Sequence, residues 1–182
     1  MYRNICKMLA MLLLAVSPLT LFAQHPMLQQ RMEIVEVEVG EDALPLQVFS
    51  LTIDGQEQYY LTVGSLGVGD RVIQVVADKI SELFIPLGST LAEAQASMEE
   101  MNALFDEPVD TRLEVAGSLD MFAPSDGQET VAVTHYRKLI GHKLEFSLER
   151  NGYFYATYVA RSDFRALVRG VKFYRKLHPS KP

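Results

Sequence analysis

Asn151-Gly152, set between two runs of alternating apolar and polar residues, constrains this chain more than any other dipeptide. Both residues can take positive φ, which matches the twist of paired strands. HKLEFSLER and YFYATYVAR are therefore expected to form a tight β-hairpin. The next stretch, SDFRALVRGVKFYRKL, changes period. Apolar residues recur at Phe164, Leu167, Val168, Val171 and Leu177, while Ser162 stands where an N-cap belongs and Asp163 falls in the first turn. Arg161, Arg165, Arg169, Lys172 and Lys176 take the other face. Residues 142–177 thus read as a ββα unit with a basic helix surface.

The same grammar runs upstream. Residues 32–39 alternate, as a half-buried strand does, and residues 46–53 and 58–63 flank a second turn of the same type, Asp54-Gly55. That register sets Phe49 against Tyr60 and Leu51 against Gln58. Residues 64–70, rich in glycine, read as a flexible connection, and residues 72–76 and 80–87 as two short strands. Thr90 and Glu93 make a capping box; Leu91, Ala94, Met98, Met101 and Phe105 then share one side of a helix that ends before Pro108. Two methionines at helical spacing fill a core more often than they line a binding surface. Leu113, Val115 and Leu119 suggest a strand kinked at Gly117, residues 123–128 a turn, and residues 130–139 a strand turned at Ile140-Gly141.

Strands followed by a helix, twice over, give an α+β fold with a mainly antiparallel sheet and two helices. Two similar strand-rich halves are expected, each closed by one helix: 24–110, acidic, and 111–182, a basic-leaning ββββα half. One continuous domain over 31–178 is the alternative. FSLTIDG at 49–55 resembles FSLERNG at 146–152, a likeness of seven residues at most, whereas a repeat should extend further.

At the N-terminus, Arg3 and Lys7 precede an apolar run over residues 8–16, then Pro18 and Ala23. This is the layout of a secretory signal peptide over 1–23, and the run is shorter than the ~20 residues of a membrane span. Export to the periplasm or cell envelope, or release to the medium, is the expectation, with no integral membrane segment after cleavage. The only cysteine, Cys6, would leave with the signal, so the remaining chain can form no disulfide, thiolate nucleophile or cysteine zinc site. The net charge of −6 becomes −8 without Arg3 and Lys7, and it is unevenly spread. Residues 24–110 hold 16 acids against 3 bases, and residues 111–182 hold 7 against 12. Such blocks attract one another within a chain, and the basic helix face is expected to match the acidic half.

Catalytic signatures are lacking. No HExxH or GxSxG occurs, and the glycines of residues 64–69 lack the Lys-Ser/Thr and the helix of a phosphate loop. A turn at Ile140-Gly141 would place His135 opposite Phe146 and His142 opposite Leu139, so the two histidines are not expected to converge on a metal. No cofactor is implied. Nucleic acid is disfavoured by the acidic total, and a membrane-surface role by Phe173 and Tyr174, which read as packing residues.

Recognition remains. Phe154 and Tyr158 would lie opposite the core face of their strand and could form a stacking platform, and Arg161, Arg165 and Arg169 are the cationic candidates. The reading is an exported, non-catalytic binding or envelope-associated module that contacts a protein or a glycan. Two alternatives stand beside it: a small secreted hydrolase with dispersed catalytic residues, and a periplasmic inhibitor or immunity-like protein that uses its acidic half.

Overall fold

Both Asx-Gly dipeptides turn the chain as their chemistry dictates. In the computed structural model, Asp54 and Gly55 have φ of 49° and 80°, and Asn151 and Gly152 have φ of 53° and 75°. Positive φ at both central residues closes each hairpin with the twist its strands need. The structure describes residues 28–39, 45–69, 80–121, 128–137 and 141–179. The expected leader over 1–23, the strand expected at 72–76 and most of the turn expected at 123–128 lie outside the described residues.

The element order is β1 (Leu28–Val37), β2 (Leu46–Ile53), β3 (Gln56–Gly69), β4 (Ile80–Gly88), α1 (Leu91–Ala103) and a 3-10 turn (Leu104–Asp106). Then follow β5 (Arg112–Gly117), β6 (Glu129–Arg137), β7 (His142–Arg150), β8 (Tyr153–Ala160) and α2 (Arg161–Leu177). This is an α+β fold with two strand-rich halves, each a four-stranded antiparallel sheet followed by a helix. The sequence likeness between 49–55 and 146–152 is out of step with that order. It aligns the second and third strands of one half with the third and fourth of the other.

Two seams join the sheets. Residues 66–69 at the end of β3 pair antiparallel with residues 153–156 of β8. On the other side, Phe84 of β4 and Ser118 exchange backbone hydrogen bonds of 2.8 and 2.9 Å. The pairings therefore run in a circuit, β3-β4-β5-β6-β7-β8 and back to β3, with β1 and β2 on the outer edge of the first sheet.

The stretch expected as a flexible connection is thus largely strand. Residues 64–69 belong to β3 and pair first with β4 and then with β8. Backbone pairing on both edges supplies what the composition obscured, because a main chain poor in side chains still carries every donor and acceptor of a ladder.

Helix α1 starts on the expected capping box. Thr90 Oγ1 accepts from the Glu93 amide at 3.1 Å, and Glu93 Oε2 accepts from the Thr90 and Ser89 amides at 3.1 and 2.7 Å. Those bonds, from Ser89 first, hold the Glu93 carboxyl below the usual carboxylate range. Helix α2 differs from expectation at its start. Its N-cap is Ala160, in extended conformation without a side-chain cap, and the Ser162 hydroxyl donates instead to the Asp163 carboxylate at 2.8 Å. Strand β8 runs straight into the helix, so Val159 and Phe164 are both driven into the core and leave no room for a capping loop.

One apolar cluster spans both halves. Leu91, Ala94, Met98 and Met101 of α1 and Phe164, Leu167, Val168 and Val171 of α2 are buried in it. They pack with Leu61, Val63, Leu83 and Ile85 of the first sheet and Val133, Leu144 and Phe146 of the second. Each of these side chains larger than alanine contributes roughly 1.5–3 kcal/mol by leaving water. The two methionines are core, as their spacing implies.

Close approach places α2. A Cβ on Gly170 would collide with the Val35 side chain of β1. An exposed helical glycine normally gains up to about 1 kcal/mol on becoming alanine, but overpacking a branched neighbour costs about 1–3 kcal/mol. Gly170→Ala is therefore expected to lower the urea midpoint at unchanged slope. A raised midpoint would contradict this packing.

Candidate functional site

The acidic and basic halves meet along α2. Arg161 is hydrogen-bonded to the Asp106 carboxylate, and Arg165 lies 4.0 Å from the same oxygen. Lys172 Nζ is 2.8 Å from Glu99, and the Arg175 guanidinium donates to the Gln95 side chain at 3.1 Å. Lys172 and Gln95 together hold the Glu99 carboxyl below its ordinary range. Arg161 also lies 5.5 Å above the Phe105 ring, within cation–π reach. The internal charge match expected from the sequence is therefore built into one flank of the helix, where α2 meets α1 and the 3-10 turn. Arg169 stands on the exposed side of α2.

Phe154 and Tyr158 are elsewhere. They alternate with Tyr155 and Val159, which enter the core, so they project from the sheet face turned away from the helices. They are 47% and 37% exposed. The five residues singled out from the sequence thus divide into an aromatic pair on the sheet and a cationic series on α2.

A third ring joins the pair. Tyr136 of β6 lies with its centroid 5.3 Å from that of Tyr158, tilted by 49°. Glu145 sits directly across from Tyr158 in the β7–β8 register, and its hydrogen bond to the phenol is the main reason the Tyr158 pKa is pushed up to about 12. The phenol stays protonated and is held by the carboxylate. Ser147 and Thr134 flank Glu145 on the same face, Ser147 two residues along β7 and Thr134 opposite it on β6. The result is Tyr136 and Tyr158 side by side with Glu145 and Thr134, and Phe154 further along the same face beyond Ala156. A shallow depression between β5 and β6, lined by Glu114, Ala116, Glu129 and Thr130 among others, lies at the far side of the same sheet.

Comparison of the chain with family models, with curated proteins and with solved structures gives no match.

The histidines require a correction. β6 ends at Arg137 and β7 begins opposite it at His142, so His135 faces Leu144 and lies diagonal to His142. Their rings meet: His135 Nε2 and His142 Nδ1 are 2.8 Å apart. The connection is longer than the two-residue turn assumed from Ile140-Gly141, and that slips the register by two residues. His135 Nδ1 is 2.8 Å from the Glu107 carbonyl, which can only accept, so this nitrogen donates. Ring centroids 5.0 Å apart place the two nitrogens almost on the line between the rings, the geometry of a hydrogen bond between them. Among the described residues no group of three or more metal-ligating side chains occurs. The pair pins the β6–β7 hairpin to the segment after α1.

Phe173 also departs from its expected role. Tyr174 does pack, with its hydroxyl 3.5 Å from Met32 sulfur, but Phe173 is 64% exposed and Leu177 60%.

Asp106 is the shared partner of two arginines, so Asp106→Asn tests the charge seam. It is expected to cost about 0.5–1 kcal/mol in low salt and much less in 1 M NaCl, read from urea unfolding. An equal loss at both salt concentrations would contradict an electrostatic origin.

Proposed function

We propose that this chain is an exported, non-catalytic binding module that takes a glycan, or an extended protein segment, on the β6–β8 face around Tyr136, Phe154 and Tyr158. The observation that carries the reading is the exposed Phe154 and Tyr158 on a face that, among the described residues, no helix covers, with the Tyr136 ring against Tyr158. Sugars stack on such rings through their C–H faces, and neighbouring carboxylates and hydroxyls supply the bonds that orient them. Glu145 and Thr134 offer those groups here. The phenol held by Glu145 keeps the Tyr158 ring from turning, which reduces the entropy lost on binding.

Export rests on the basic leader, the apolar run over residues 8–16 and the small residue at Ala23. A chain whose cysteine lies only in that leader suits an oxidising compartment without depending on it. The acidic half is less suited to capturing a basic partner than its charge suggests, because Asp106 and Glu99 are already engaged by α2.

The chain has no tryptophan, so its emission comes from tyrosines, of which Tyr136 and Tyr158 lie on the candidate face. Titration with soluble oligosaccharides and with extended peptides is expected to change that emission for at least one ligand class. Phe154→Ala and Tyr158→Ala should each weaken binding about tenfold or more, about 1.4 kcal/mol, with stability changed by less than about 1 kcal/mol. Undiminished binding in both variants would sink the proposal.

A further inference from the structure

Helix α2 carries three strips. Phe164, Leu167, Val168 and Val171 are buried in the core. Arg161, Arg165 and Lys172 form the flank that meets Asp106 and Glu99. The third strip, facing outward, holds Arg169, Phe173, Lys176 and Leu177, all exposed. Phe173 and Leu177 are one helical turn apart and so lie side by side, with Arg169 and Lys176 next to them. A core-packed helix has no structural need for two large apolar side chains on its solvent side, and a helix built only for an internal charge match has no need for cations beyond the paired flank.

We infer that this outward strip docks the protein peripherally on an anionic lipid surface, with Phe173 and Leu177 entering the interface and Arg169 and Lys176 contacting the headgroup phosphates. Apolar side chains bordered by Lys and Arg on an otherwise polar helix face are the composition that lies in a bilayer interface. Each cation near an anionic leaflet adds attraction that fades within a Debye length. Charge across the molecule sets the orientation. Residues 111–182 hold 12 bases against 7 acids and residues 24–110 hold 3 against 16, so an anionic surface repels one half and draws in the other. The contact is peripheral: among the described residues no helix is long and apolar enough to cross a membrane. Two apolar side chains and two cations make it weak and reversible. The strip lies on a different element from the aromatic face, so either assignment can fail without the other.

The test uses the exported protein with two kinds of vesicle, phosphatidylcholine alone and phosphatidylcholine mixed with phosphatidylglycerol. The wild type is expected to co-sediment with the mixed vesicles, to do so less as salt is raised, and to leave the neutral ones unbound. The double variant Phe173→Ser, Leu177→Ser and the double variant Arg169→Glu, Lys176→Glu should each reduce the bound fraction at least about tenfold, with circular dichroism unchanged. Phe173→Trp provides an independent reading, since the chain has no tryptophan of its own. Its emission should shift to the blue on mixed vesicles only. Equal binding to both vesicle types, wild-type binding by both double variants, or an unshifted emission maximum would each overturn the inference. So would retention on soluble polyglutamate without vesicle binding, which would assign the strip to an acidic macromolecule.

Discussion

The structure depends on what the end of β3 does. A strand that stopped at residue 63 would leave a first sheet with its own hairpins and a second with its own, touching only through their helices. Instead the chain continues through a glycine-rich stretch and gives its last residues to β8. That pairing fixes β8 along one edge while β7 fixes it along the other. Everything of functional interest is then positioned by β8. Its outer face bears Phe154 and Tyr158, its inner face feeds Tyr155 and Val159 to the core, and its end becomes α2 without a loop.

The division of charge has a structural use that composition alone leaves open. Asp106 and Glu99 sit at the end of the acidic half, where the first helix and the following turn meet α2, and they take up cations of the basic half. Exposed pairs of this kind are individually weak. Their value lies in orientation. They reinforce the orientation in which that flank of α2 faces α1 and Phe173 and Leu177 point away. The buried strip is fixed by apolar packing, the flank is paired by charge, and the outward strip is left exposed.

Local chemistry was readable in the sequence wherever it was self-contained. Two Asx-Gly turns, one capping box and the core-facing methionines need only neighbours within a few residues, and each is found as expected. Features set by distant residues were not. Residues 64–69 read as loop because their partners, on β4 and β8, lie far along the chain. Ser162 looks like a cap, and nothing local says that β8 enters the helix directly. The His135–His142 contact turns on a connection two residues longer than its Ile-Gly signal suggests. Tyr136 is a different case: a slip of two residues leaves its face unchanged, so its place near Tyr158 is legible in either register once the outer side of β6 is read. Phe173 reads as packing by residue type and Leu177 as part of the apolar face, yet both lie on the side of α2 turned away from its buried residues and are exposed.

Both proposed faces need the two halves to be held as one body, through the cluster in which α1 and α2 are buried together. Equilibrium unfolding in urea, followed by far-ultraviolet circular dichroism and by tyrosine emission, tests this directly. A shared core requires one sigmoidal transition with the same midpoint by both probes. Two separated transitions, or midpoints that differ between the probes, would mean that the halves unfold independently and would contradict it.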